Sequence, residues 1–221
     1  MRHGAASSSL CGHLSRFARA RDGVSAVEFA LILPFMLTLY LGGSELGDGM
    51  AIQFKVTLAA RTVADLASQC GNSTLDGQYC ETANDLPIDS TAMSQIVGSS
   101  QVVGAAETIM APYPTNNMIA TVSELQFTGG STTATVVWSA SNSGNGRATG
   151  SSYTLPTAYQ SLPSGNYYVI LGEVTYPYTP SMGYVVTGTI NIYQDTIFFP
   201  RNSSCVQYYI NSTYIPSTCQ S

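Results

Sequence analysis

The sequence predicts an α+β protein: an N-terminal transmembrane helix and an amphipathic stalk helix, followed by a head in which an antiparallel β-sheet is packed with helix. Three observations predict it. Val24 to Gly43 is an apolar run of 20 residues with a single charge, which at the helical rise spans roughly the 30 Å of a hydrocarbon core. Ile52, Val56, Ala59, Val63 and Leu66 then recur at spacings of four and three, the apolar stripe of a helix. Beyond Met118 the period changes to the alternation of strands, in segments rich in Thr, Val and Tyr punctuated by Gly and Pro.

The first element is the membrane anchor. Arg2, Arg16, Arg19 and Arg21 all precede the run, whereas only Lys55, Arg61, Arg147 and Arg201 follow it, against eleven acidic residues from Glu45 onward. The positive-inside rule therefore places the N-terminus in the cytoplasm and the body across a bacterial inner membrane, in the periplasm. Tyr40 falls at the far interface. An acidic body offers no surface for a phosphate backbone, so nucleic acid is excluded as a partner. Charged residues make up only 10% of the chain, well below the usual quarter or so, which fits an extracytoplasmic module better than a cytosolic enzyme. A cleaved secretory signal is the rival reading, with Gly42, Gly43 and Ser44 as the small residues of a cleavage site. A carboxylate inside the apolar run and a helical pattern that continues past it weigh against that rival.

Glu28 is that carboxylate. A charge five positions into a membrane helix is costly and points to function; a position near enough to the headgroups explains its tolerance but not its presence. Pro34 lacks an amide donor and predicts a kink or local loosening.

The stretch RDGVSAVEFALILPFMLTLY resembles the processing site and hydrophobic helix of type IV pilin-like proteins, most closely the TadE-like and TadG-like pseudopilins of the tight-adherence pilus system. The resemblance covers about 20 residues and rests on a combination: a basic leader, Gly23, Glu28, the aromatic Phe29, an aliphatic run and Pro34. It implies a pilin-like fold and cleavage by a prepilin peptidase after Gly23, with Val24 as the new N-terminus and Glu28 as the fifth mature residue. It also implies an assembly role for Glu28, followed by Phe29, in which the carboxylate pairs with the amine of a neighbouring subunit. Opposite charges brought together at low dielectric are strongly favoured over either one left unpaired there. The partners implied are other pilins, the pilus assembly machinery, the peptidase and the bilayer.

The expected organisation is a leader over 1–23, a span over 24–43, a stalk over 44–69 and a head over 70–221. Gly42, Gly43, Gly47 and Gly49 predict an interrupted join, hence a two-piece stalk. Asp89 to Met110 reads as a second helix with Met93, Ile96, Val97, Val103 and Ile109 on its core face, ended by Pro112 and Pro114. Met118 to Phe127 and Thr132 to Ser139 form a hairpin across Gly129-Gly130. Ser141 to Gly150 is a loop, and Tyr167 to Tyr176 and Tyr184 to Phe199 supply two more strands. The expected sheet has about four antiparallel strands, and nothing in the connections demands a parallel pair. The 14 tyrosines, most of them after residue 150, suit half-buried strands.

Cys11 belongs to the leader. Cys70, Cys80, Cys205 and Cys219 remain, an even number on the oxidising side of the membrane. Three pairings are open, of which Cys70–Cys80 with Cys205–Cys219 is the simplest. Both histidines, His3 and His13, precede the span, so the body has no histidine for a metal site or a nucleophilic triad, and no phosphate-binding or dinucleotide fingerprint occurs. No catalytic residue, metal or cofactor is expected. Asp85, Asp89, Glu107, Glu124, Glu173 and Asp195 are the carboxylates from which a glycosidase pair would have to come. The reading that follows is a minor pseudopilin or membrane-anchored assembly factor of the tight-adherence pilus. Its alternative is an unpolymerised periplasmic scaffold or binding module.

Overall fold

The computed structural model of the chain describes residues 23–71, 88–98, 104–144, 146–180, 188–210 and 213–214. The chain divides into two units, Met1–Gly47 and Asp48–Ser221, and helix α1, Gly23–Ser68, contributes to both. In the first unit the described chain is helix throughout, with a mean hydropathy of 2.0 over its most apolar window. Its large side chains, among them Phe29, Leu31, Phe35, Leu39 and Tyr40, are exposed. α1 is the one helix among the described residues that is long and apolar enough to cross a membrane.

α1 is unbroken through Pro34 and through Gly42, Gly43, Gly47 and Gly49, so the expected two-piece stalk is one helix of 46 residues. Each glycine weakens a helix by about 1 kcal/mol relative to alanine. At the edge of a hydrocarbon layer, however, a broken helix would leave amides and carbonyls with no water to satisfy them, which costs more.

In the second unit α1 buries one face. Ile52, Val56, Ala59, Ala60, Val63, Ala64 and Ala67 are almost wholly removed from solvent. Leu66, expected on this stripe, is only partly buried, and the alanines at 60, 64 and 67 widen the face in its place. The single helix expected from Asp89 to Met110 is instead two, α2 (Ser90–Val97) and α3 (Ala105–Met110). Gly98, at a φ of 91°, ends α2, a conformation that glycine adopts without the strain a β-carbon brings. Gly104 then opens α3, where its amide is accepted by Glu107 at 3.3 Å. Met93, Ile96 and Val97 are buried and Ile109 packs against them; Val103 lies outside the described residues. Lys55 of α1 donates to the carbonyls of Ile109 (3.0 Å) and Ala111 (2.5 Å), capping α3 with a cation where its dipole is negative.

The main sheet has five antiparallel strands in the order β4-β3-β2-β5-β6. They are β2 (Ile119–Thr128), β3 (Thr133–Ser141), β4 (Ser152–Thr154), β5 (Asn166–Tyr178) and β6 (Ile190–Phe198). β2 and β3 form the expected hairpin, and β5 and β6 fall within the remaining expected strands; positions 184–187 of the last lie outside the described residues. β4 was not expected, since three residues leave no period to read. Short helix α4 (Thr157–Gln160) follows it. One face of the sheet, with Ala120, Val122, Trp138, Ile170, Val174 and Tyr176, packs on α1, α2 and α3. The other carries Leu125, Phe127, Val136, Leu155, Val169 and Leu171 in a second core. There Tyr167 stacks on Phe127 with ring centres 5.5 Å apart, and Tyr159 meets Phe127 edge-on at 6.5 Å.

A second, three-stranded sheet joins β1 (Ile88–Asp89), β7 (Tyr208–Ile210) and β8 (Thr213–Tyr214). Its β1–β7 pair is parallel, where no parallel pair was expected. Two or three residues per strand are too few to show a period.

Candidate processing and assembly site

Gly23 is the first residue of α1 and Val24 the second, and both belong to the described helix. Glu28 lies one turn beyond Val24 on the same helical face, the spacing at which side chains neighbour one another. Val24, Glu28 and Phe29 are all exposed. This end of the helix therefore presents an amine-bearing position after any cut at Gly23, a carboxylate one turn away, and an apolar wall made by Phe29, Leu31 and Ile32. Further along, Thr38 donates back to the carbonyl of Pro34 at 2.8 Å and Ser44 to that of Leu41 at 2.9 Å, so both hydroxyls are satisfied within the helix.

The cysteines belong to the second unit. Cys70 and Cys205 are fully buried and disulfide-bonded; Cys80 and Cys219 lie outside the described residues.

The carboxylates named from sequence are put to different uses. Glu173 and Asp195 are direct register partners on β5 and β6, a juxtaposition set by strand pairing and not readable from their spacing. Arg147, from the loop after β3, holds Glu173 by two parallel bonds of 2.6 Å, and the Tyr193 hydroxyl donates to the same carboxylate at 2.6 Å. Tyr153 donates to Asp195 at 2.5 Å, and the Arg147 guanidinium lies 5.1 Å from the centre of its ring. Burial, then the facing carboxylates, raises the Tyr153 and Tyr193 phenols above their ordinary range, and the ion pair does the same for Arg147. Each group keeps its ordinary charge. An open cavity of about 200 Å³ adjoins the cluster, lined by Ile119, Thr121, Gly146, Arg147, Glu173, Thr175 and Tyr193. Both oxygens of Glu173 are hydrogen-bonded, so the arrangement clamps the loop of Arg147 and strand β6 to β5. Glu107 caps α3, Glu124 is buried elsewhere in the head, Asp85 lies outside the described residues, and so does the side chain of Asp89. Arg147 had no signal in the sequence, since its partner stands 26 residues away across two strands.

These features define a class: an α+β head on a long helix whose first half is apolar enough to anchor the chain in a membrane. The family model described as TadE-like protein matches residues 23–65, so that segment, which holds the motif around Glu28, is similar to TadE-like proteins. The matched segment ends within α1 and leaves out the rest of the second unit. No curated protein and no solved structure matched the chain.

Proposed function

We propose that this chain is a minor pseudopilin or membrane-anchored assembly factor of the tight-adherence pilus, made as a precursor and trimmed after Gly23 by a prepilin peptidase. The observation that carries the reading is Glu28, an exposed carboxylate five residues after a glycine at the head of an apolar helix, within the segment shared with TadE-like proteins. Trimming creates a charged amine at Val24. In a medium of low dielectric that amine and the Glu28 carboxylate of a neighbouring subunit favour each other strongly, so assembly selects processed partners and fixes their axial register. The charge asymmetry about the span supports an inner-membrane protein with its N-terminus in the cytoplasm and its head in the periplasm. There the cysteines would be oxidised, with Cys70–Cys80 and Cys205–Cys219 as the pairing proposed. On the head's own stretch of α1, Met50, Phe54 and Leu58 stand at four-residue spacing and are 60%, 71% and 43% exposed. They give other pilins an apolar line to meet.

The test is the intact mass and N-terminal sequence of the protein extracted from the membrane of its native host. A chain that begins at Val24 is the expected result. A chain that retains Arg21 and Asp22 would favour the unpolymerised scaffold, and a start near Ser44 would mean that the span is a cleaved signal.

A further inference from the structure

Glu124 is a fully buried carboxyl that neither the anchor nor the clamp at Glu173 uses. It stands on β2 directly opposite Trp138 of β3, at the bulge between Glu124 and Leu125. The bulge is where β2 stops following a regular ladder, and bulges re-aim side chains. Here two side chains take hold of the backbone of one residue of the C-terminal segment, its amide and its carbonyl. Glu124 Oε1 accepts the Val206 amide at 2.6 Å, and Trp138 Nε1 donates to the Val206 carbonyl at 2.7 Å. The Tyr208 ring lies 5.3 Å from the Trp138 ring, and Val206 is completely buried.

On both sides of Val206 the same segment is tied to the end of α1. Arg201 donates its amide to Ser68 at 2.8 Å and pairs with Asp65, the Asn202 side chain donates to the Gln69 carbonyl, and the Gln207 amide donates to Gly71 at 3.2 Å. Downstream, β7 rests only on the short strands β1 and β8 in its sheet. The Val206 backbone, with the Tyr208 ring beside Trp138, thus fixes the start of β7 to the main sheet.

The docking point has too many acceptors. Among the described residues, the buried side-chain oxygens with no hydrogen-bond partner are Glu124 Oε2, on the residue that receives the Val206 amide, and Gln207 Oε1, on the residue next to Val206 in the chain. A proton on Glu124 removes one bare acceptor and leaves Oε1 to receive the amide. An ionised carboxylate would instead hold a full charge in the core with one oxygen unsatisfied, which is strongly unfavourable.

We propose that Glu124 and Trp138 form a proton-dependent latch on the Val206 backbone, which holds the C-terminal strand β7 against the head while Glu124 is protonated and lets it loosen when Glu124 ionises. Burial pushes the Glu124 carboxyl up to about 8, opposed by the Val206 amide and the Trp138 indole. No charged neighbour contributes. On α1, Asp65 is paired with Arg201 of the segment, Arg61 is exposed, and Lys55 caps α3, whose Glu107 is bound to the Gly104 amide. The phenols of Tyr176 and Tyr178 on β5, of Tyr113 after α3 and of Tyr208 on the segment also pack in or against this core, and Glu173 of β5 is bound to Arg147.

Trp138 is the sole tryptophan of the chain, so its emission reports the latch directly. The experiment is a pH titration of full-length protein in detergent micelles, followed by Trp emission and by hydrogen exchange at the Val206 amide. The wild type should show one transition centred near pH 8, with protection at Val206 falling at least about tenfold across it. Glu124→Gln, which keeps an acceptor for the amide and cannot ionise, should show neither change. A flat wild-type titration, or the same transition in Glu124→Gln, would overturn the latch. If Glu124→Gln does not fold, exchange at Val206 in the wild type decides alone: protection that is constant from about pH 6 to about pH 9 sinks the proposal.

Discussion

Gly172 of β5 passes against the backbone of Ala60 in α1: a β-carbon at Gly172 would lie 2.6 Å from the Ala60 carbonyl oxygen and 2.8 Å from the Ala64 Cβ. β5 is the strand between β2 and β6 and has the longest run of buried residues in the sheet. The approach is possible because both sides are small, glycine on the strand and Ala59, Ala60, Ala64 and Ala67 on the helix. It brings Val56 and Val63 of the helix and Ile170 and Val174 of the strand into the same core cluster. Each such side chain contributes about 1.5–3 kcal/mol when fully buried, so the loss of a methyl group at residue 172 is repaid by its neighbours.

Gly172→Ala should therefore destabilise the head by about 1–3 kcal/mol, the usual cost of overpacking a core that cannot yield. The atom it meets is backbone, which cannot swing aside as a long side chain would. Urea unfolding followed by circular dichroism gives the number. An unchanged midpoint would mean that α1 and β5 can separate at this point without loss.

The Glu124 carboxyl makes the stability of the head depend on pH in a defined direction. Folded, it holds its proton up to about 8, against 4.5 for the ordinary group. Between those values the folded head binds a proton that the unfolded chain has released, so stability falls as pH rises through the window and levels off above it. Glu124→Gln should remove that slope. Unfolding midpoints measured at several pH values for the two proteins check this, and equal slopes would show that another group sets the dependence.

Arg147→Met should cost about 1–3 kcal/mol, because it leaves Glu173, only 8% exposed, without the two bonds that hold it. Arg147 is itself partly in solvent, which keeps the effect below that of a fully buried pair. The double change Arg147→Met with Glu173→Gln should recover part of the loss, since the bare charge is then gone. If the double variant lost the full sum of the two single changes, the pair would not be coupled.

The large elements were legible because each repeats its period often enough to be read: a run of 20 residues with one charge for the anchor, about four turns of stripe from Ile52 to Leu66, strands of nine residues or more. What escaped was set by contacts distant in sequence. β1, β7 and β8 have two or three residues each and exist because they meet each other. The single helix expected from Asp89 was divided by Gly98, whose positive φ answers to its surroundings rather than to its neighbours in sequence. Glu124 was readable in part. Ala120, Val122 and Glu124 share one parity of β2, so the alternation that buries the first two also points the carboxyl inward. Its role at Val206, 82 residues away, was not readable. At the anchor, the motif fixed Gly23, Val24, Glu28 and Phe29 to one helix end without help from tertiary contacts, because the relation among them is purely helical.

That helical relation makes Glu28→Gln the sharpest test of the assembly reading. The amide has nearly the size and the acceptor of the carboxylate but no charge, so insertion of the span, cleavage after Gly23 and the stability of the head should stay as they are. What is lost is attraction to the Val24 amine of a neighbour. An unpaired buried charge costs about 3–5 kcal/mol, which would weaken subunit association by more than about a hundredfold and should abolish or nearly abolish piliation in electron micrographs of the native host. Membrane fractionation and the mass of the extracted chain separate the steps. Normal piliation would remove this account of the carboxylate. A precursor that accumulates uncut would mean that Glu28 is read by the peptidase and not by the neighbouring subunit.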